Sequence, residues 1–444
     1  MKKFIETLKN IWKIEDLRER ILYTLGILLI YRLGTHVVLP GIDPSQLDQL
    51  KQQTSEGVLG LLDMFSGGAF SNASVFALGI MPYISASIVV QLLGIAVPYF
   101  QRLQREGESG RRKINQITRY LTIIILVLQA PAYLANLHAQ LPATAFVLKG
   151  TFFTISSVII LTSGTAFVMW LGERITDKGI GNGISLIIMI GIIARLPYAL
   201  FGEFISRLEE QGGGLVAFLV EIVLLFFVFV ATIMLVQGTR KIPVQYAKRV
   251  VGNKQYGGVR QYIPLKVNAA GVMPIIFAQA LMFLPLTVAG FADSESLSGF
   301  AATFSNYRGF WYNFTFFVMI IAFTYFYTAI VINPTQMAED IKKNSGFIPG
   351  VKPGKKTVEF LDSIMSRITL PGSIFLGIIA ILPAFAMIAG VNAQWAQFYG
   401  GTSLLILVGV ILDRLQQIES HLLMRHYDGL MKSGRIKGKG GGMI

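Results

Sequence analysis

The chain has 444 residues, 53% of them hydrophobic and only 14% charged, with a formal net charge of +14. Mean hydropathy is +0.58, whereas a soluble domain is about one-quarter charged. A soluble globular protein is therefore excluded, and a polytopic membrane protein is expected. There are no cysteines, which removes disulfides and thiolate metal sites. No cleavable leader is expected, because the first apolar run begins near Ile21, after a charged stretch.

A membrane helix needs about 20 mostly apolar residues. Ten such runs occur, at 20–39, 73–98, 115–136, 150–171, 181–201, 215–237, 269–290, 310–332, 369–390 and 401–421. The connections between them are strongly asymmetric in charge. Residues 1–19, 99–114, 172–180, 238–268, 333–368 and 422–444, with the adjacent span ends, hold 33 of the 39 Lys and Arg; the opposite set holds five. The basic set is expected to be cytoplasmic, which puts both termini inside and makes the +14 a topology signal.

The expected organisation follows. Residues 1–19 form a cytoplasmic segment, and 20–201 a half with five spans. Residues 202–214 form an external connection, and 215–421 a second half with five more spans and the long basic loops 238–268 and 333–368. A basic, Gly-rich tail at 422–444 is expected to be disordered. Five spans per half reverse orientation, so homologous halves would be inverted; no sequence symmetry between 20–201 and 215–421 is visible.

Met64–Pro98 is apolar enough for a membrane yet opens on Ser66, Gly67, Gly68, Ser71, Asn72 and Ser74. Interrupted backbone at membrane depth survives only where protein buries it or where it lines a water-filled cavity. A short re-entrant helix near 60–72 followed by a full span is one reading; a loop followed by a kinked span is the other.

Few charged residues interrupt the spans: Arg32, Arg195, Glu221, Asp413 and Arg414, nearly all towards a span end. Intramembrane charges usually mark an ion or substrate path, and no midplane carboxylate for proton transfer can be picked out. His36, His138, His421 and His426 lack metal-ligand spacing. With no nucleophile motif or phosphate loop either, no enzyme activity and no cofactor or metal are expected.

MFSGGAF…ALGIMPYISASI resembles the plug and second span of the SecY family of protein-conducting channels. EGESGRRKINQ (106–116), MWLGERITDKGIGNGIS (169–185), PLKVNAAGVMP (264–274) and GGTSLLILVGV (400–410) resemble the same family in the same order. The resemblance implies an all-α polytopic protein, ten transmembrane helices in two inverted five-helix halves with a plug. It implies a pore ring of Ile80, Ile84, Ile188, Ile192, Ile276 and Ile406, an aliphatic collar that dewets when closed and deforms around a chain. The plug would include Phe65, Ser66, Gly67, Gly68, Ala69 and Phe70, of which the small Ser66, Gly67, Gly68 and Ala69 suit an element that packs closely and leaves at low cost.

It further implies a lateral gate where Gln91, Thr122 and Asn268 meet through hydrogen bonds worth about 0.6–2 kcal/mol. Motor or ribosome contacts would fall on Lys248, Arg249, Lys254, Lys352, Pro353 and Gly354. Lys352 stands where the family usually has Arg, and Lys cannot make a planar two-point contact. The implied partners are SecE, SecG, the motor SecA, the ribosome through rRNA phosphates, signal sequences, nascent chains and anionic lipids near Arg111, Arg112 and Lys113. The implied place is the bacterial inner membrane.

Two other classes compete on the residues alone. A secondary transporter of a small solute also uses inverted repeats and broken helices, but needs a polar midplane site. An intramembrane enzyme needs convergent catalytic groups. Neither requirement is visible.

Overall fold

The computed structural model describes residues 12, 14–47, 50, 60, 63–148, 150–209, 214–246, 249–251, 254–256, 260–289 and 308–432. Each apolar run contains a helix, as lipid demands of a backbone with no water to bond. In chain order these are α1 (Glu15–Gly34), α2 (Met81–Ala96), α3 (Pro98–Arg105), α4 (Glu108–Gln140), α5 (Thr151–Lys178), α6 (Gly183–Glu209) and α7 (Gly214–Gln237). They continue with α8 (Met273–Ala289), α9 (Phe310–Val331), α10 (Pro334–Lys343), α11 (Lys355–Ile388), α12 (Ala393–Ala396) and α13 (Gly401–Lys432). Among the described residues, seven helices are long and apolar enough to cross a membrane. Of the other expected spans, α1 carries charge through its first turns (EDLRER), α8 has 17 residues, and the second span is bent.

Helix ends depart from the apolar runs for a reason of length. α4 has 33 residues and α11 has 34, about 50 Å at 1.5 Å per residue, against a hydrocarbon core of about 30 Å. Hydropathy marks only the part that lipid surrounds. α11 therefore starts at Lys355 rather than 369, and α6 runs to Glu209 rather than 201, through the expected external connection. α13 runs to Lys432, so residues 422–432 are helical where a disordered tail was expected; 433–444 lie outside the described residues.

The second span departs the other way. Residues 75–80 run as turns and α2 starts only at Met81, with Pro82 in its first turn, where its missing N–H costs nothing. At the other end Pro98 pushes Val97 into extended backbone (φ −111°, ψ 120°), and α3 leaves at 100° to α2.

The chain divides into two compact units: residues 1–54, 61–195 and 410–444 form one, and 55–60 with 196–409 the other. In the first, α4 packs against α2, α3 and α5, and α1 against α5. α4 buries Thr118, Thr122, Leu126, Ala130, Tyr133 and Leu137 at three- and four-residue spacing and leaves Ile124, Val127 and Leu128 exposed. That is a helix with one face on protein and an apolar face left for lipid.

In the second unit α9 packs on α8 and α11, and α10 on α11. Here the two long basic loops expected at 238–268 and 333–368 come together through strands. β1 (Thr239–Tyr246) pairs antiparallel with β4 (Arg260–Lys266), Thr239 opposite Lys266 and Gln245 opposite Arg260. β5 (Gly346–Phe347), from the other basic loop, joins the free edge of β1 at Gln245 and Tyr246. β2 (Arg249–Val251) and β3 (Lys254–Tyr256) pair with each other further along the connection. Ile242, Val244 and Leu265 from the sheet are buried with Ala338, Ile341, Ile348, Leu361 and Met365 in one core. The two basic loops thus make a single α/β module.

Candidate functional site

The segment expected to form the plug is turn-like rather than helical over most of its described length. Residues 63–65 are helical, 66–73 run as turns, and 61–62 lie outside the described residues. Asp63, Met64, Phe65, Ser66, Ala69, Phe70 and Ser71 are all buried. Gly67 (φ +67°) and Gly68 (φ +91°) take left-handed backbone that a side chain resists. Gly67 also has no room for a side chain: a Cβ there would lie 2.8 Å from Gly191 Cα in α6.

Side chains that the sequence reading left out hold this irregular backbone. Asp63 and Arg195 form an ion pair. Asp63 Oδ1 accepts the Ser71 backbone N–H at 2.7 Å, and Arg195 Nη2 donates to Ser71 Oγ at 2.8 Å. Arg32 Nη1 donates to the Gly67 carbonyl at 2.8 Å. The Tyr31 hydroxyl donates to Ser66 O at 3.1 Å and the Tyr133 hydroxyl to Phe70 O at 3.0 Å. Carbonyls freed by the broken helix therefore receive donors from α1 and α4, as a buried interruption requires. The available signal was Arg32 and Arg195 inside apolar runs, since intramembrane charges are seldom left without partners.

Four of the six expected pore isoleucines lie in the first unit. Ile80 is buried just ahead of α2, and the Ile84 N–H donates to its carbonyl at 3.1 Å, which sets the two one helical turn apart. Ile188 and Ile192 are buried on α6, on either side of Gly191, where Gly67 of the plug rests. Ile276 is half-buried on α8 and Ile406 is buried on α13; both belong to the second unit.

Of the expected gate residues, Gln91 Nε2 donates to Ser87 Oγ at 3.4 Å. Thr122 is fully buried and donates to Thr118 O of its own helix at 2.7 Å. Asn268, half-buried, lies in the second unit just past β4. In the basic module, Lys352 and Pro353 are exposed in the turn that opens α11, and Gly354 (φ +99°) is its first cap. Arg249 and Lys254 lie on β2 and β3; Lys248 lies outside the described residues.

The second unit holds a buried charge cluster at the end of α6 that its extension creates. Arg207 Nε donates to Glu203 Oε1 at 2.8 Å, and Nη2 to Glu221 Oε1 of α7 at 2.5 Å and to Gly390 O at 2.9 Å. Glu203 Oε2 accepts the Asn392 N–H at 2.9 Å. Tyr399 donates to Glu221 O at 2.7 Å, and burial pushes its phenol well above the ordinary value. These bonds join α6, α7 and the turn after α11, as a clamp would. Among the described residues no group of acidic and histidine side chains could hold a metal.

Apolar helices with lipid-ready faces define a polytopic membrane protein, with a buried, side-chain-fastened interruption ahead of its second span. The chain belongs to the SecY family, whose sequence profile matches residues 74–415. It is 44% identical over 437 residues to the protein translocase subunit SecY of Streptomyces scabiei, covering 95% of this chain and 98% of that one. In fold it resembles a structure described as that of a protein-conducting channel, with a TM-score of 0.61 and 18% identity over 91% of this chain and 92% of that one. It also resembles Sec61 in the canine ribosome-channel complex from the endoplasmic reticulum, with a TM-score of 0.56 and 18% identity over 91% of this chain and 92% of that one.

Proposed function

We propose that this chain is the channel subunit of a bacterial protein translocase. It passes unfolded secretory polypeptides across the inner membrane and releases hydrophobic segments sideways into lipid. The observation that supports the reading is the segment 63–73, buried and irregular, fastened by side chains from neighbouring helices and resting on α6 beside Ile188 and Ile192; we read it as the plug.

In the mechanism, both termini and the basic loops face the cytoplasm. A partner on those loops, the ribosome or the motor SecA, supplies the drive. Lys248, Arg249, Lys254 and the Lys352–Gly354 turn contribute the basic contacts. A signal helix intercalates at the seam that Gln91, Thr122 and Asn268 line. The plug then moves outward and the chain passes Ile80, Ile84, Ile188, Ile192, Ile276 and Ile406, a collar that excludes ions without selecting side chains. SecE and SecG complete the complex, and anionic lipid binds near Arg111–Lys113.

The test is crosslinking from single cysteines at Ile84 and Ile276 with a secretory chain stalled in transit, in a protein that has no cysteine of its own. Crosslinks at both positions, absent without a signal sequence, are expected. Their absence, with uptake of a small solute instead, would replace the channel by a transporter.

A further inference from the structure

We propose, on the channel reading above, that the Asp63–Arg195 pair is an ionic latch setting how strong a signal sequence must be to open the channel. Three observations carry this. First, the pair ties the plug to α6 from inside the protein: the Asp63 side chain is 5% exposed and that of Arg195 28%. Second, it is reinforced through one shared residue. Ser71 gives its N–H to the Asp63 carboxylate and receives the Arg195 guanidinium on its hydroxyl, so carboxylate, serine and guanidinium close a ring across the start and end of the plug turn. Third, Tyr31, Arg32 and Tyr133 fasten the plug through its backbone carbonyls, which water can serve once the plug is displaced. The latch, by contrast, depends on a specific pair of side chains.

Neither charge is indifferent to the loss of the other. Removing one partner of a buried pair leaves the other charge uncompensated, whereas replacing both removes that penalty. In the closed channel, Asp63→Asn removes the carboxylate that neutralises the Arg195 guanidinium beside the plug. Arg195→Gln leaves a dehydrated carboxylate with one backbone donor. Either change raises the free energy of the closed plug, while the displaced plug, with wet groups, is little altered. The closed-to-open balance then shifts, and a weaker signal suffices. The residues act on signal stringency through the plug and need not touch the passing chain.

The experiment is export of a periplasmic reporter enzyme, with and without its signal sequence, from cells whose only channel is the wild type or a variant, expressed per channel in the membrane. Asp63→Asn and Arg195→Gln are each expected to raise signal-less export at least about tenfold relative to signal-bearing export, equivalent to about 1.4 kcal/mol. The double variant is expected to rise no further than the stronger single one, because the two residues share one interaction. Arg195→Lys, which keeps the charge, should lie closer to wild type than Arg195→Gln. Unchanged stringency in Asp63→Asn, or two single effects that multiply in the double variant, overturns the latch. If Arg195→Gln fails to accumulate, Asp63→Asn alone decides. A wild-type chain that exports neither reporter would instead overturn the channel reading itself.

Discussion

Arg207→Met is the sharpest test of how the second unit is held together. The three charged side chains are shielded, with Arg207 12% exposed, Glu203 1% and Glu221 9%. Met preserves an unbranched apolar stem and removes the guanidinium. Two carboxylates are then left facing one another, one on α6 and one on α7. Loss of one partner from a buried pair costs about 3–5 kcal/mol, and the lost bond to the Gly390 carbonyl adds about 1 kcal/mol. For a unit of roughly 200 residues, each kcal/mol moves the midpoint by about 2–4 °C. The unfolding midpoint of the purified complex in detergent, followed by intrinsic fluorescence, should therefore drop by roughly 10 °C or more. The combination Glu203→Gln, Arg207→Met and Glu221→Gln removes the uncompensated charge. It also keeps a side-chain amide oxygen at position 203 for the Asn392 N–H, so it should recover at least half of the loss. An Arg207→Met protein within about 2 °C of wild type, or a triple variant no better than the single one, would refute the reasoning.

Three further outcomes are expected. Leu361→Ala hollows the core shared by the basic loops, where Leu361 is 1% exposed; the cost is about 2–5 kcal/mol, and limited proteolysis should cut 238–268 faster while the spans stay intact. Gly164→Val places a Cβ against the Val75 carbonyl oxygen, which is backbone and cannot swing aside; overpacking of about 1–3 kcal/mol should lower the midpoint, and an unchanged midpoint would show that α5 and residue 75 are not in contact. Ile406→Asn puts a polar amide at a buried position of the proposed ring; ion conductance of reconstituted complexes should rise and signal stringency relax, and a tight, stringent channel would remove Ile406 from the ring.

The spans were legible because lipid makes a single demand, and a run of apolar residues states it without reference to any partner. Their ends were not, since the polar turns of α4 and α11 are helical by continuation and packing rather than by composition. The basic module was missed for another reason. Thr239–Tyr246 carries Arg240, Lys241 and Pro243, a poor strand in isolation. Pro243 is tolerated because it lies before the two residues, Gln245 and Tyr246, that take a second neighbour. The strand exists because Ile242 and Val244 have Ile341 and Leu361 to cover, residues about a hundred positions further on. The interrupted stretch after Met64 was visible from its serines and glycines, but its fastening joins Asp63 to a residue 132 positions away, and no local pattern records such a pair. The ring isoleucines show the opposite limit. Each is one aliphatic residue among many, and only the surrounding motifs set them apart.

The long helix that begins in the basic module has a mechanical meaning. Its first turns, through Leu361 and Met365, are sealed into the same core as the β1–β4 hairpin, and the same rod continues without a break to Ile388. A push on the hairpin reaches the span through continuous helix, because no loop separates the two. It becomes a tilt or rotation of a shaft about 50 Å long, with Pro371 and Pro383 as the two places where an unmade backbone bond lets the shaft flex. Whatever grips the outside of this module holds the handle of a lever whose other arm stands in lipid.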